Sequence, residues 1–587
     1  MSFSKTTSRL TRQSKKLINL FSFITTNNMS SASSPSSLRS STSSPYLSSS
    51  SESMMEETIQ SADVLIQKWE INGHFISIFH EDKTEATRFV YCVKGLHRAM
   101  RFLASHDSIS EKLTLAQGLM KIAMKRLETE FRLILLNSGE YLQPESVSIW
   151  SVSSIHSEDE QLSSLRLIAE TMISCGYGTE CINVYKIIRK STIDEALFHL
   201  GVQRYTSSHI KKLINTSDFD NHIKIWLIAV QIAVKTLFLE EKFLCDHVFT
   251  SHQAVKDSCF QNSTNEAALN LFKFPELIAN TCKRMDSESI FVMMNLHNSI
   301  SDLLPEIESI FSNKSVSSVK ILALESLQKL AGSVRRVLSK LELSIHKNSS
   351  KVTVSSGGIH PLNDSVMNYL SSLADYGSSL SDIIIDYDDL PVEQQSSAVS
   401  VKLERIILVL LCKLDKKAKF HDSAALSNLF LVNNLSFIIE KVRTTKLIFV
   451  LGNEWLAKHE MKLNQYVLSY ELVSWNKVIA CLPKDLQVSP EKVRDCFRKL
   501  NFTFEDVCNR QISWIVVDGK IRDKMKASIV NKLVPMYEEF YCKHLLTLSA
   551  DEQCIKMLIR LSPENMVKYL SELFPSTPEV QKAVLNN

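Results

Sequence analysis

The sequence predicts an all-α protein made of long helices with few joints, and three observations carry that expectation. The first is a shortage of chain-breaking residues. There are 13 glycines and 13 prolines in 587 residues, about 2% each where values near 7% and 5% are usual. Sheets and tight turns draw on glycine for left-handed backbone angles, so a chain this poor in it has little means to build them. The second is helical spacing. Leu113, Ala116, Met120, Ala123, Leu127, Phe131 and Ile134 recur at steps of three and four, with Lys121, Lys125, Glu128 and Arg132 off the stripe, the pattern of one buried helix face. The third is the wide separation of the breaks, which leaves room for several bundles in a chain of this length.

In chain order, residues 1–53 read as a disordered tail. Fifteen of the 24 residues from Ser30 to Ser53 are serine, too little apolar area to offset the entropy of ordering. The first 25 residues are basic and acid-free, with an apolar patch at Leu17–Ile24. A plain extension, a lipid-surface segment and a transit peptide all suit that composition, and Met29, Met54 and Met55 offer later starts. Residues 54–160 form the first expected bundle, closed by Gly139–Pro144 and an acidic polar loop at His156–Gln161. Residues 161–345 form the second, with Gly176 and Gly178 before a helix at Thr179–Lys190. A linker at 346–358 ends in Gly357-Gly358. The third bundle, 359–460, opens on loop, cap and helix. Pro361 disfavours helix at His360, and Asn363 or Asp364 is placed to accept from the first free N–H groups. Val366, Leu370, Leu373 and Leu380 then share a face, with Tyr369 and Tyr376 beside it. Residues 461–587 form the C-terminal bundle.

Charge and motifs exclude several classes of function. The formal net charge is +3. Lys5, Arg9, Arg12, Lys15, Lys16 and Arg39 all lie in the acid-free first 51 residues, so the remainder is −3 and does not read as a nucleic-acid binder. Twelve cysteines include no CxxC pair, and the closest two, Cys175 and Cys181, have five residues between them. That suits reduced thiols in helical cores better than zinc. The longest wholly apolar run, Ile406–Cys412, is seven residues, short of the ~18 a membrane span needs, so no crossing is expected. Phosphate-loop, dinucleotide, HExxH and Gly-x-Ser-x-Gly patterns are missing. The sequence therefore points to an interaction protein with no cofactor.

Several stretches identify a family. "AMKRLETEFRLILLNSGEYLQPES" (Ala123–Ser146), "CGYGTECINVYKIIRKSTIDEALFHLGV" (Cys175–Val202) and "GGIHPLNDSVMNYL" (Gly357–Leu370) come first. "LDKKAKFHDSAALSNLFLVNNLSFIIEKV", "LGNEWLAKHEMKLNQYVLSYELVSW", "LNFTFEDV" and "RQISWIVVDGKIRDKMKASIVNKLVPMYEEFY" follow in order. Together they resemble the seventy-kilodalton subunit of the exocyst in its plant form, over about residues 60 to 575. The resemblance implies an elongated rod of stacked antiparallel helical bundles that acts without catalysis. It implies a role in tethering secretory vesicles to the plasma membrane. Other exocyst subunits, Rho-family small GTPases and phosphoinositides are the implied partners, with no nucleic acid, and the implied location is cytoplasmic and peripheral at the plasma membrane or at vesicles.

For this chain the family's lipid-binding role falls on Lys520, Arg522, Lys524, Lys526, Lys532, Lys543, Lys556, Arg560 and Lys568. Arg522 and Lys526 are spaced to share a helix face, and Lys524 points elsewhere. Two departures touch this region. The family's Trp-x-Val-Pro-Asp reads Trp514-Ile515-Val516-Val517-Asp518, and its Lys-Tyr-Ser-Pro reads Arg560-Leu561-Ser562-Pro563. The serine-rich tail also runs almost directly into the first helix, where many members carry a longer coiled coil. An adaptor of the same fold with weak lipid binding, serving autophagy-related traffic or plant immunity, is the alternative reading.

Overall fold

The structure is a computed structural model and describes residues 45–69, 77–106, 111–137, 155–281, 288–349, 354–384, 395–483, 487–545 and 560–574. Among these residues every regular element is helical. Two compact units divide between Arg126 and Leu127.

The first unit contains α1 (Pro45–Lys68), α2 (Ile78–Glu81), α3 (Lys83–His106) and the opening turns of α4 (Glu111–Asn137). Helix α1 starts nine residues before Met54, inside the stretch expected to be tail. Proline suits a first helical turn, because its missing N–H has no partner there and its φ is preset. Serine costs only about half a kcal/mol per residue relative to alanine, too little to stop a helix anchored by buried Ile59, Ala62 and Ile66. The rest of the expected tail, residues 1–44, lies outside the described residues. Helices α1 and α3 pack together, and α3 buries Phe89, Val90, Val93 and Leu96. Just past α1, the Trp69 indole N–H donates to Glu85 (3.2 Å), and the Arg126 guanidinium lies over the same ring at 5.8 Å. Along α4 the predicted stripe is buried from Leu113 through Phe131, while Ile134 is half-buried beside fully buried Leu135.

The second unit opens with α5 (Ile155–Ser174), α6 (Gly178–His199) and α7 (Ser207–Leu213). Helix α8 (Phe219–Ile232) runs through a π-helical turn, Ala233–Phe238, into α9 (Leu239–Val248). That composite helix is as long and apolar as a membrane span. Counting uninterrupted apolar runs missed it, because polar residues such as Gln231 and Lys235-Thr236 punctuate it. Trp226, Val230, Val234 and Phe238 are buried in the bundle, and the Trp226 indole donates to the Leu271 carbonyl at 2.9 Å. Helix α10 (Gln253–Thr281) is the central element, packing on α6 and on α13. Helices α11 (Ser289–Asp302) and α12 (Leu304–Ile310) precede α13 (Ser317–Lys347).

The glycine-rich stretch then leads into α14 (Pro361–Ala374) and α15 (Gly377–Ile384). The N-cap is His360, not Asn363 or Asp364: its Nδ1 accepts from the Leu362 N–H at 3.0 Å. Pro361 itself takes the first helical position, so the cap falls one residue earlier. Val366, Leu370, Leu373 and Leu380 are buried as expected, although a turn at Asp375–Tyr376 divides them between two helices. Tyr369 and Tyr376 pack on Phe291.

Helices α16 (Gln395–Ala418), α17 (Ala424–Thr444) and α18 (Leu447–Ile479) follow, and α17 and α18 fold back on one another. Gly452 sits inside α18 at φ 83°, a kink that an L side chain would resist. Helices α19 (Pro490–Gln511), α20 (Gly519–Leu545) and α21 (Pro563–Glu572) complete the unit.

None of the cysteines among the described residues forms a disulfide. Cys412 and Cys542 are exposed. Burial pushes the Cys92 thiol up to about 11 and the Cys259 and Cys508 thiols up to about 12, and it raises Cys181 and Cys245 as well. A thiol reacts as its thiolate. In peptide mapping after brief maleimide labelling of the native chain at pH 7.5, Cys412 and Cys542 are therefore expected to label at least tenfold faster than Cys181, Cys245 and Cys259. Equal rates would show that the core opens readily.

Candidate membrane-contact site

The candidate site is built on α20 and its neighbours. Asp518 starts the helix: its Oδ1 accepts from the N–H groups of Lys520 (2.9 Å) and Ile521 (3.1 Å), filling donors that a helix start leaves open. The helix buries Met525, Ile529, Leu533, Tyr537, Phe540 and His544. That stripe decides where each basic side chain points.

Lys520 and Lys524, four residues apart, lie away from the stripe and are exposed. Lys524 reaches Asn464 Oδ1 on α18 at 3.2 Å. Arg522 and Lys526 do share a face, as expected, but it borders the core. Arg522 is half-buried and pairs with Asp523 at 3.5 Å. Lys526 is half-buried and donates to the Ser571 carbonyl at 2.7 Å, tying α20 to the last turn of α21. Burial, with Arg522 close by as a second cause, holds the Lys526 ammonium below the ordinary lysine range. Lys532 bridges to the Glu471 carboxylate, which is only 6% exposed and also accepts from Ser528 at 3.0 Å. Lys543, Arg560 and Lys568 are exposed, and Lys556 lies outside the described residues. The nine candidates therefore divide. Arg522 and Lys526 are half-buried with intramolecular partners, Lys532 is exposed but paired with Glu471, Lys524 is exposed with one contact to Asn464, and Lys520, Lys543, Arg560 and Lys568 face solvent. Spacing along one helix could not reveal that division, because Glu471, Asn464 and Ser571 are 45 to 61 residues from the lysines they meet.

What positions the start of α20 was missed altogether. Asn433 on α17 donates from Nδ2 to the carbonyls of Gly357 (2.8 Å) and Ile515 (2.7 Å), and its Oδ1 accepts from the Val517 N–H at 2.9 Å. Beside it, Asn434 Nδ2 donates to the carbonyls of Gly358 (3.2 Å) and Phe430 (2.8 Å). The Asn434 Oδ1 accepts from the His360 N–H (2.9 Å) and from Asn363 Nδ2 (3.1 Å). Ile515 N–H donates to Ser356 at 3.0 Å, and Ser436 Oγ donates to Asp518 Oδ2 at 3.1 Å. The glycine-rich stretch is thus clamped on α17 together with the segment leading into α20. Gly357, at φ 75°, would bring a Cβ to 3.0 Å from Leu426, so no larger residue fits without displacement. The departure at Val517 also acquires a meaning. A proline there has no N–H, and this chain uses that N–H to hold Asn433.

Fold and site together define an all-α, multi-bundle protein with a cationic face and a buried polar clamp behind it. The family model for the C-terminal part of the Exo70 exocyst complex subunit matches residues 224–572, and the model for the N-terminal part of exocyst complex component Exo70 matches residues 58–137. Exocyst complex component EXO70B1 of Arabidopsis thaliana is 26% identical over 521 residues, covering 82% of this chain and 83% of the relative. EXO70B2 of the same plant is 29% identical over 378 residues, 64% of this chain and 62% of that one. S. cerevisiae Exo70 has the same fold, with a TM-score of 0.58 at 17% identity over 89% of this chain and 99% of the yeast one. The chain belongs to the Exo70 family of exocyst subunits, of the plant type. Members of this family are structural components of a complex, so membership assigns the chain a non-enzymatic role.

Proposed function

We propose that this chain works within the exocyst, helping to tether secretory vesicles to the plasma membrane by linking other exocyst subunits to phosphoinositide lipid. The observation that carries the reading is the match to both family models, which together take in most of the helical bundles. Rho-family small GTPases are the proposed regulatory partners, and the proposed location is cytoplasmic and peripheral at the plasma membrane or vesicle sites. For the lipid contact, the exposed set Lys520, Lys524, Lys543, Arg560 and Lys568 supplies the charge. Each basic group near an anionic leaflet is worth about 1 kcal/mol, less at high salt.

Two experiments test the two halves. Affinity purification of the tagged chain from plant cells is expected to recover the other exocyst subunits, and their absence would remove the tethering role. Vesicles containing phosphatidylinositol bisphosphate should pellet the full chain at moderate salt, and K520A/K524A should weaken partitioning about thirty-fold, ~2 kcal/mol for two lysines. That pair is the informative one. Changing Lys526 or Lys532 instead would strip the Ser571 carbonyl or the buried Glu471 of a partner, and so confound lipid binding with folding.

A second reading has its own observation. Because Arg522, Lys526 and Lys532 are committed to intramolecular partners, an adaptor of the same fold with weak lipid affinity, acting through protein partners in autophagy-related traffic or immunity, is favoured if the unmodified chain fails to pellet with these vesicles at moderate salt.

A further inference from the structure

A second cationic surface lies on α13 and α16. Lys413 Nζ donates to the His346 carbonyl at 3.0 Å, which brings the C-terminal ends of these two helices to the same place. Lys347, Lys413, Lys416, Lys417 and Lys419 gather there against two aspartates, Asp415 and Asp422. Lys347, Lys416 and Lys419 are exposed, and Lys413 is half-buried. Lys417 is only 5% exposed, and burial, with Lys413 as the second cause, lowers its affinity for a proton. Positive charge is thus concentrated rather than dispersed.

Lysines in a last helical turn ordinarily serve the open carbonyls of that turn. Here much of that need is already met. The carbonyls of Lys417 and Ala418 accept from the N–H groups of Phe420 (3.1 Å) and His421 (3.2 Å), and the Ala418 carbonyl also accepts from Ser427 Oγ at 2.7 Å. Lys419 and Phe420 lie beyond the helix end, in the turn those bonds hold. The Phe420 ring is 61% exposed, an aromatic side chain projecting from a fixed turn among lysines.

We infer that this helix end, with Lys347, Lys416 and Lys419 around Phe420, is a docking surface for an anionic lipid leaflet. The charges meet lipid phosphates, and the ring enters the interfacial layer where aromatic side chains are favoured. A membrane is the occupant the geometry favours over an acidic peptide, because the apolar group is a single protruding ring at a tip and not a groove that would hold a chain. The surface does not use the α20 lysines, so its failure and theirs are separable.

The test uses the full chain and vesicles of neutral phosphatidylcholine, with or without 30% phosphatidylserine. Pelleting is expected only with the anionic lipid. K416A/K419A should weaken it about thirty-fold, F420S about tenfold, and F420W should restore it. These side chains are exposed, so unchanged helical circular dichroism and unfolding midpoint will certify each variant. The inference is overturned if the variants pellet like the unmodified chain or if only K520A/K524A reduces binding. Binding of soluble polyglutamate through the same lysines without vesicle pelleting would overturn it as well.

Discussion

Replacing Glu241 with alanine is expected to destabilise the second unit by about 3–5 kcal/mol, the usual cost of leaving a buried charge without its partner. Glu241 is 0% and Arg189 4% exposed in their side chains, joined through Nε and Oε2 at 2.8 Å. The Tyr185 hydroxyl donates to Glu241 Oε1 at 3.1 Å and lies 3.1 Å from Cys245 Sγ. Burial alone would push the Arg189 guanidinium down, and the Glu241 charge overrides it, so the group ends above its ordinary value. Without Glu241 only the penalty remains, and Arg189 Nη1 already has no hydrogen-bond partner. Glu241 lies buried in the first turn of α9, just after the π-helical turn. The informative control is R189M/E241L, an apolar pair of similar volume, expected within about 2 kcal/mol of the unmodified chain because it removes both desolvation penalties together. Urea unfolding followed by circular dichroism measures both. A single variant as stable as the double would mean that the pair is solvated.

Asn433→Ala is expected to cost a similar amount, about 3–5 kcal/mol, by a different route. Its amide serves the Gly357 and Ile515 carbonyls and the Val517 N–H. Alanine leaves the two carbonyls short of a partner in a buried setting and the Val517 N–H in a partly buried one, at about 1–3 kcal/mol for each buried group, less what relaxation recovers. The loss should be local as well as global. Hydrogen exchange is expected to rise first in 354–360 and 512–518, the two segments that Asn433 clamps to α17. Because Asp518 and the exposed Lys520 and Lys524 follow directly, the same change should weaken vesicle binding without touching a basic residue. Asn433→Asp tests the mechanism. It keeps an acceptor for Val517 but sets negative charge against two carbonyls, so it should be at least as destabilising. Unchanged exchange in both segments would show that the clamp is incidental.

Some of this was legible without coordinates. The stripe on α4 was readable because burial of one helix face imposes a three-and-four spacing whatever the partner. The break at Gly357–Pro361 was readable because glycine and proline act through their own backbone limits. The apolar positions of α14 followed from the same two rules. The cap at His360 was misplaced, since side-chain preference favoured Asn363 or Asp364 and the first-turn preference of Pro361 decided otherwise. The start of α1 was misplaced because serine composition speaks to a chain in isolation, whereas a helix extends from the part already packed.

The sequence by itself determined the helical class and the family, since these rest on local periodicity and on motifs read in order. Only the tertiary structure decided which lysines are available to a partner. Lys526 is taken by Ser571 and Lys532 by Glu471, while Lys520 on the same helix faces solvent and Lys419, on another element, projects beside Phe420. The physical reason is that a charge is spent or free according to what lies within a few ångströms of it. Residues far apart in the chain reach that distance only when the helices pack.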